Sequence, residues 1–234
     1  MPQRATNTAK ILILGGTKEA AALAHELVEI HGTTNVITSL AGRTREPKTV
    51  SGTVRIGGFG GAAGLAEYIT RNDVTMVVDA THPFAEQISS HAKRACEITQ
   101  IPLDVRTRPP WKKSAQDIWI EVTSLADAKD QIPQNARVLL ALGSQHISQF
   151  ADRDDVFFLI RMIDEPTTAI PFERYKLIVG PPPKTAGEER CLLREERISH
   201  IVCRNSGGAS AYAKIEAARA LRIPVIIVQR TAAS

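Results

Sequence analysis

No apolar run in this 234-residue chain approaches the ~18–20 residues that a membrane-spanning helix needs. The opening MPQRATNTAK lacks the apolar core of a secretory signal, so neither a membrane nor an export route is expected. Cysteine is scarce and scattered. Cys96, Cys191 and Cys203 make an odd count, which argues against a disulfide framework and for a reducing, cytoplasmic setting. They form no CxxC pair, so no metal site is expected. Long basic runs are also missing. Lys+Arg number 29 against 25 Asp+Glu, a balance of +4 that suits anionic small molecules and does not single out nucleic acid.

Three catalytic signatures are absent as well. Tyr68, Tyr175 and Tyr212 are followed four residues later by Asn72, Val179 and Glu216, so the Tyr-x-x-x-Lys proton-transfer pair of short-chain dehydrogenases is missing. There is no GxSxG nucleophile elbow and no Walker A lysine loop.

What is present is an alternation of short β-branched runs with helical stretches, the pattern of an α/β protein with mainly parallel sheets. Residues 10–14 (KILIL) read as a strand buried on both faces, and Gly15-Gly16-Thr17 breaks it. A helix is expected over 18–30, with Ala20, Leu23, Ala24, Leu27 and Val28 at helical spacing. Strands follow at 36–40 and 75–80, with a short one within 50–56, a short helix over 65–71, a helix over 84–99 and a strand at 102–105. Residues 106–114 (RTRPPWKKS) break regular structure and read as a linker. The second half repeats the grammar. Strands are expected at 137–142, 156–162, 177–179, 200–204 and 224–229, and helices to about 150, over 188–196 and over 209–221. The chain is thus expected to divide into an N-terminal lobe (1–107), a linker (108–116) and a C-terminal lobe (117–234).

Chemistry gathers at the strand ends. A strand, a Gly-Gly turn and an immediate helix form a phosphate cradle, because glycine admits a close ligand and the helix N-terminus offers N–H groups. A tight turn in any α/β fold would look the same. The second strand ends Ser39-Leu40-Ala41-Gly42-Arg43, without the carboxylate that holds an NAD ribose. A hydroxyl and a guanidinium there favour the 2′-phosphate of NADPH; a surface arginine in a polar loop is the alternative. Gly57-Gly58-Phe59-Gly60-Gly61 is either a closing loop or an irregular turn. His82, in Asp79-Ala80-Thr81-His82-Pro83-Phe84, is placed to touch a cofactor or donate a proton, unless Thr81 merely caps the next helix. Arg204-Asn205-Ser206-Gly207-Gly208 is the matching turn of the second half, with Lys214 about two turns on, facing an anion or solvated. Arg106, Arg108, Lys112 and Lys113 surround Trp111, as a flat anionic ligand or a solvated linker would require. His25, His31 and His91 read as solvated.

Together ILILGGTKEA, SLAGRT, GGFGG, VVDATHPFA, RPPW and NSGGASAYAKIEAARAL with IPVIIV resemble the precorrin-6A reductase family of cobalamin biosynthesis, over about residues 10–230. Arg204 stands where that pattern has lysine. The resemblance implies two Rossmann-like lobes with a ligand cleft between them, and NADPH-dependent reduction of precorrin-6A, or its cobalt form, to precorrin-6B. It implies a cofactor site of Gly15, Gly16, Thr17, Glu19, Ser39, Ala41, Gly42, Arg43, Gly58, Thr81, His82 and Pro83. The substrate site would comprise Arg204, Asn205, Ser206, Gly207, Gly208 and Lys214, with His82 and Lys214 as catalytic candidates. The partner would be a tetrapyrrole, with other enzymes of the pathway as further candidates. A reductase of another anionic substrate and a non-catalytic dinucleotide-sensing module are the rival readings.

Overall fold

A computed structural model describes residues 9–42 and 50–230. Ile11–Leu14 forms β1, buried at every position. Alternate side chains face opposite sides of a strand. Ile11 and Ile13 therefore pack with Ala20 and Ala24 of α1 (Lys18–His31). Leu12 and Leu14 pack with Leu65, Ala66 and Ile69 of α2 (Gly61–Arg71) and with Ala92, Ala95 and Cys96 of α3 (Glu86–Thr99). The remaining strands of this sheet are β2 (Val36–Leu40), β3 (Thr53–Ile56), β4 (Met76–Asp79) and β5 (Leu103–Val105). All pair in parallel in the order β3-β2-β1-β4-β5, a doubly wound arrangement.

The second sheet has six parallel strands in the order β6-β11-β10-β7-β8-β9. They are β6 (Trp119–Val122), β7 (Arg137–Ala141), β8 (Phe157–Met162), β9 (Tyr175–Val179), β10 (His200–Arg204) and β11 (Val225–Val228). Leu139, Leu159, Ile201, Cys203 and Ile227 face a core shared with α5 (Ala186–Glu195) and α6 (Ala213–Leu221). Val138, Leu140, Phe158, Ile160, Val202 and Ile226, on the opposite face, are equally buried. The chain divides into two compact units, Met1–Thr107 and Arg108–Ser234.

Four expectations need correction. Residues 108–116 belong to the second unit: Trp111 is buried in its core and anchors the segment, while Pro109, Pro110 and residues 112–116 stay exposed. The helix expected from 84 begins at Glu86: Ala85 N–H bonds back to the His82 carbonyl in a turn, and Thr81 bonds to Asp79 instead of capping the helix. The helix expected from 209 begins at Ala213, because Gly207 and Gly208 both hold positive φ and Tyr212 N–H bonds back to the Ala209 carbonyl in a turn. Finally, β6 and α4 (Leu125–Asp130) were not anticipated. Their signal is Ser124-x-x-Asp127, a reciprocal capping box that starts a helix of only six residues.

Candidate functional site

In the first unit β1 and β4 are neighbours, and the chain leaves them toward opposite sides of the sheet. Their carboxyl ends flank the crevice where doubly wound sheets take ligands. The turn after β1 is tightly held there. Gly15 N–H donates to the Ser39 carbonyl at 3.0 Å, and Ala80 N–H donates to the Leu14 carbonyl at 3.0 Å. The Thr17 hydroxyl accepts from Ala20 N–H at 3.0 Å and donates to the Ala80 carbonyl at 3.0 Å. It therefore caps α1 and ties the glycine turn to the end of β4.

A Cβ on Gly15 would stand 3.0 Å from Thr38 Cγ2, so that glycine is needed for packing. Gly16 has φ +110° and nothing within 4 Å of a built Cβ. Open space over a glycine at a helix N-terminus is what a diphosphate requires. Glu19 stands exposed in the first turn of α1. Thr17→Ala is expected to cost about 1 kcal/mol through the lost cap. Amide exchange in the first turn of α1 would quicken, and unchanged exchange there would refute the coupling.

At the end of β4, Asp79 is buried and its Oδ1 accepts from Thr81 N–H (3.1 Å) and the Thr81 hydroxyl (2.6 Å). Thr81, His82 and Pro83 are half-buried. Phe84 N–H donates to His82 Nδ1 at 3.3 Å, an arrangement that puts the proton of a neutral imidazole on Nε2. Ala41 and Gly42 lie exposed after β2. Arg43 is outside the described residues.

Sequence reasoning overlooked Arg55. In the edge strand β3 it pairs with Ser39 of β2. Its Nη1 donates to Ser39 Oγ at 3.2 Å and to the Gly57 carbonyl, and its Nη2 donates to the Gly58 carbonyl at 2.7 Å. The guanidinium lies 3.8 Å from the centre of the Phe59 ring. The signal was a lone arginine in a strand, two residues before the second glycine cluster.

In the second unit β7 and β10 are the neighbours whose connections diverge, so Asn205-Ser206-Gly207-Gly208 follows the strand at the corresponding position. Asn205 is 2% exposed. Its Oδ1 accepts from Trp111 N–H (2.8 Å), and its Nδ2 donates to the Trp111 carbonyl (3.1 Å) and to Gln229 Oε1 (2.9 Å). Trp111 Nε1 donates to the Gly208 carbonyl at 2.7 Å. Arg108 Nε and Arg230 Nη2 both donate to the Ser206 carbonyl, at 2.8 and 2.7 Å. The turn is thus braced by residues 108–111 and 229–230. Trp111 serves as a buried strut, not as an open stacking face.

Arg204 and Ser206 are half-buried at the turn, and the Ser206 hydroxyl donates to the Arg204 carbonyl at 3.2 Å. Lys214 is buried, not solvated. Its Nζ donates to the Ala211 carbonyl at 2.7 Å and lies 4.9 Å from the centre of the Trp111 ring. Burial pushes the Lys214 ammonium pKa down and the neighbouring Cys203 thiol up. Gln229 and Arg230 were also overlooked, because their partners lie far away in sequence.

The family described as Precorrin-6x reductase CbiJ/CobK matches residues 10–234. A precorrin-6A reductase of Rhodococcus erythropolis is 46% identical over 94% of this chain and 89% of its own length. One of Rhodobacter capsulatus is 44% identical over 95% and 88%. A solved structure titled CobK precorrin-6A reductase superposes with a TM-score of 0.91 at 42% identity, covering 97% of this chain and 90% of that one. Among the described residues no helix is long and apolar enough to cross a membrane. A chain matched along nearly its whole length in sequence, and in the course of both its sheets, belongs to the precorrin-6x reductase family, CbiJ/CobK.

Proposed function

We propose that this protein reduces precorrin-6A to precorrin-6B with NADPH. The observation that carries the reading is the match to a CobK precorrin-6A reductase over nearly all of both chains. Relatives named precorrin-6A reductase share 40–46% identity, whereas those named cobalt-precorrin-6A reductase share 27–28%. This favours the cobalt-free macrocycle as substrate.

A bound NADPH supplies a hydride, and a proton completes the reduction of one double bond of the ring. The chain's own residues bind and orient. Gly15, Gly16 and Thr17, with the first turn of α1 carrying Glu19, would cradle the diphosphate. Ser39, Ala41, Gly42 and Arg43 would receive the 2′-phosphate end, with Gly58 beside it. Thr81, His82 and Pro83 would line the nicotinamide side, where the imidazole of His82 would contact the cofactor or, as imidazolium, donate the proton. The Arg204–Gly208 turn would meet substrate carboxylates through its donors. Lys214, catalytic on sequence grounds, is better suited by its burial to hold Trp111 and the turn in place.

Titration calorimetry with NADPH and NADH tests the cofactor assignment. Preference for NADPH by about tenfold or more is expected, falling in Arg43→Ala. Equal weakening of both cofactors would refute the role of Arg43. Consumption of NADPH on adding precorrin-6A, with a product gaining one hydride and one proton, tests the reaction.

A further inference from the structure

Among the described residues Arg55 is a cation without a counter-ion: no carboxylate stands within ion-pair distance of it, although it is half-buried. All three hydrogen bonds it donates go to neutral oxygens: Ser39 Oγ and the carbonyls of Gly57 and Gly58. A guanidinium carries five N–H donors. Nε–H and one Nη2 hydrogen therefore have no partner among the described residues. One face of the group is covered by the Phe59 ring, which holds the plane in one orientation.

Its position matters as much as its charge. β3 pairs with β2 in register, Ser39 opposite Arg55, so the guanidinium lies at the carboxyl end of β2. In a doubly wound fold that end holds the ribose furthest from the nicotinamide. Because Arg55 bonds to the oxygen of Ser39, the hydroxyl hydrogen of Ser39 is left to donate elsewhere. A fixed planar cation with spare N–H groups beside a donor hydroxyl suits a phosphate monoester.

We infer that Arg55 is a specificity-determining residue that binds the 2′-phosphate of the cofactor together with Ser39. This rests on the NADPH reading above. It adds a residue held on the sheet itself, whose guanidinium is oriented before the cofactor arrives.

The test is calorimetric binding of NADPH, NADH and 2′,5′-ADP to the unaltered chain, Arg55→Gln and Arg55→Lys, with thermal unfolding as the check on folding. Arg55→Gln should weaken NADPH and 2′,5′-ADP by about tenfold or more and NADH by less than about threefold. Arg55→Lys keeps the charge without the planar fork and should fall between. If the unaltered chain binds NADPH and NADH alike, the NADPH reading fails and this inference with it. If the unaltered chain prefers NADPH and Arg55→Gln keeps that preference, Arg55 alone is overturned. Equal weakening of both cofactors would make Arg55 a brace for the 57–58 carbonyls and would also overturn the inference. If Arg55→Gln does not fold, an unchanged preference in Arg55→Lys overturns it as well.

Discussion

Glu189→Ala should lower the stability of the second unit by about 3–5 kcal/mol. Glu189 of α5 has a side chain 1% exposed, paired with Arg161 of β8 at 8%. Arg161 Nη2 donates to both carboxylate oxygens, at 3.0 and 3.1 Å. Taking two charges from water is expensive, and their attraction offsets that cost only while both are present. Removing the carboxylate strands a buried guanidinium, and Lys214, which feels Glu189 electrostatically, loses a favourable neighbour too. Arg161→Met combined with Glu189→Leu removes both charges and keeps the volume, so it should recover most of the loss. Both tryptophans, Trp111 and Trp119, lie in this unit. Their fluorescence during urea unfolding therefore reports on it directly. If the double variant is as unstable as the single one, the loss comes from packing and the stranded-charge account is wrong.

Gly207→Ala should lower kcat/KM for precorrin-6A by about a hundredfold or more while leaving NADPH affinity within about twofold. A displaced positioning group alone can cost that much in rate. Gly207 has φ +68°, and a Cβ there would stand 2.1 Å from the Pro109 carbonyl oxygen and 2.7 Å from Arg230 Nη2. The first atom is backbone, lying between Arg108, whose carbonyl accepts from Arg230 Nη1, and Trp111, whose backbone is bonded to Asn205, so the turn itself has to move. Left-handed backbone costs a non-glycine residue about 1–2 kcal/mol, and overpacking adds about 1–3 kcal/mol. Gly180→Ala separates the two terms, since Gly180 has φ +136° and nothing within 4 Å of its built Cβ. It should show strain without loss of rate. Normal turnover in a folded Gly207→Ala would mean that the turn does not position substrate.

The central strands were readable from residues alone because they are buried on both faces. KILIL, RVLLAL and PVIIVQ are continuous apolar runs, and His200–Arg204 keeps its expected limits. The edges were less legible. β3 is mostly exposed and only four residues long, so its sequence TVRI differs little from loop. β6 and α4 were hidden for a related reason: a four-residue strand and a six-residue helix are too short for periodicity to register. Trp111 looked like a linker residue because prolines and cations surround it. Its burial follows from Asn205, 94 positions away, whose amide takes both backbone groups of Trp111.

The site divides the same way. Gly15, Gly16 and Thr17 were evident because a strand, a glycine turn and a helix are contiguous in the chain. The hydroxyl of Thr17 reaching the Ala80 carbonyl was not, since 63 residues separate them. Arg55 meets Ser39 across 16 residues, and Lys214 lies beneath Trp111 only once the second sheet is assembled.

By itself, the sequence determined the α/β class, the burial of the central strands and the family, because local periodicity and contiguous motifs carry those. Only the tertiary structure decided that Lys214 is buried, that Trp111 is a strut and that Arg55 stands beside Ser39. Burial, ion pairing and hydrogen bonding are properties of neighbours in space, and strand order, not spacing along the chain, chooses those neighbours.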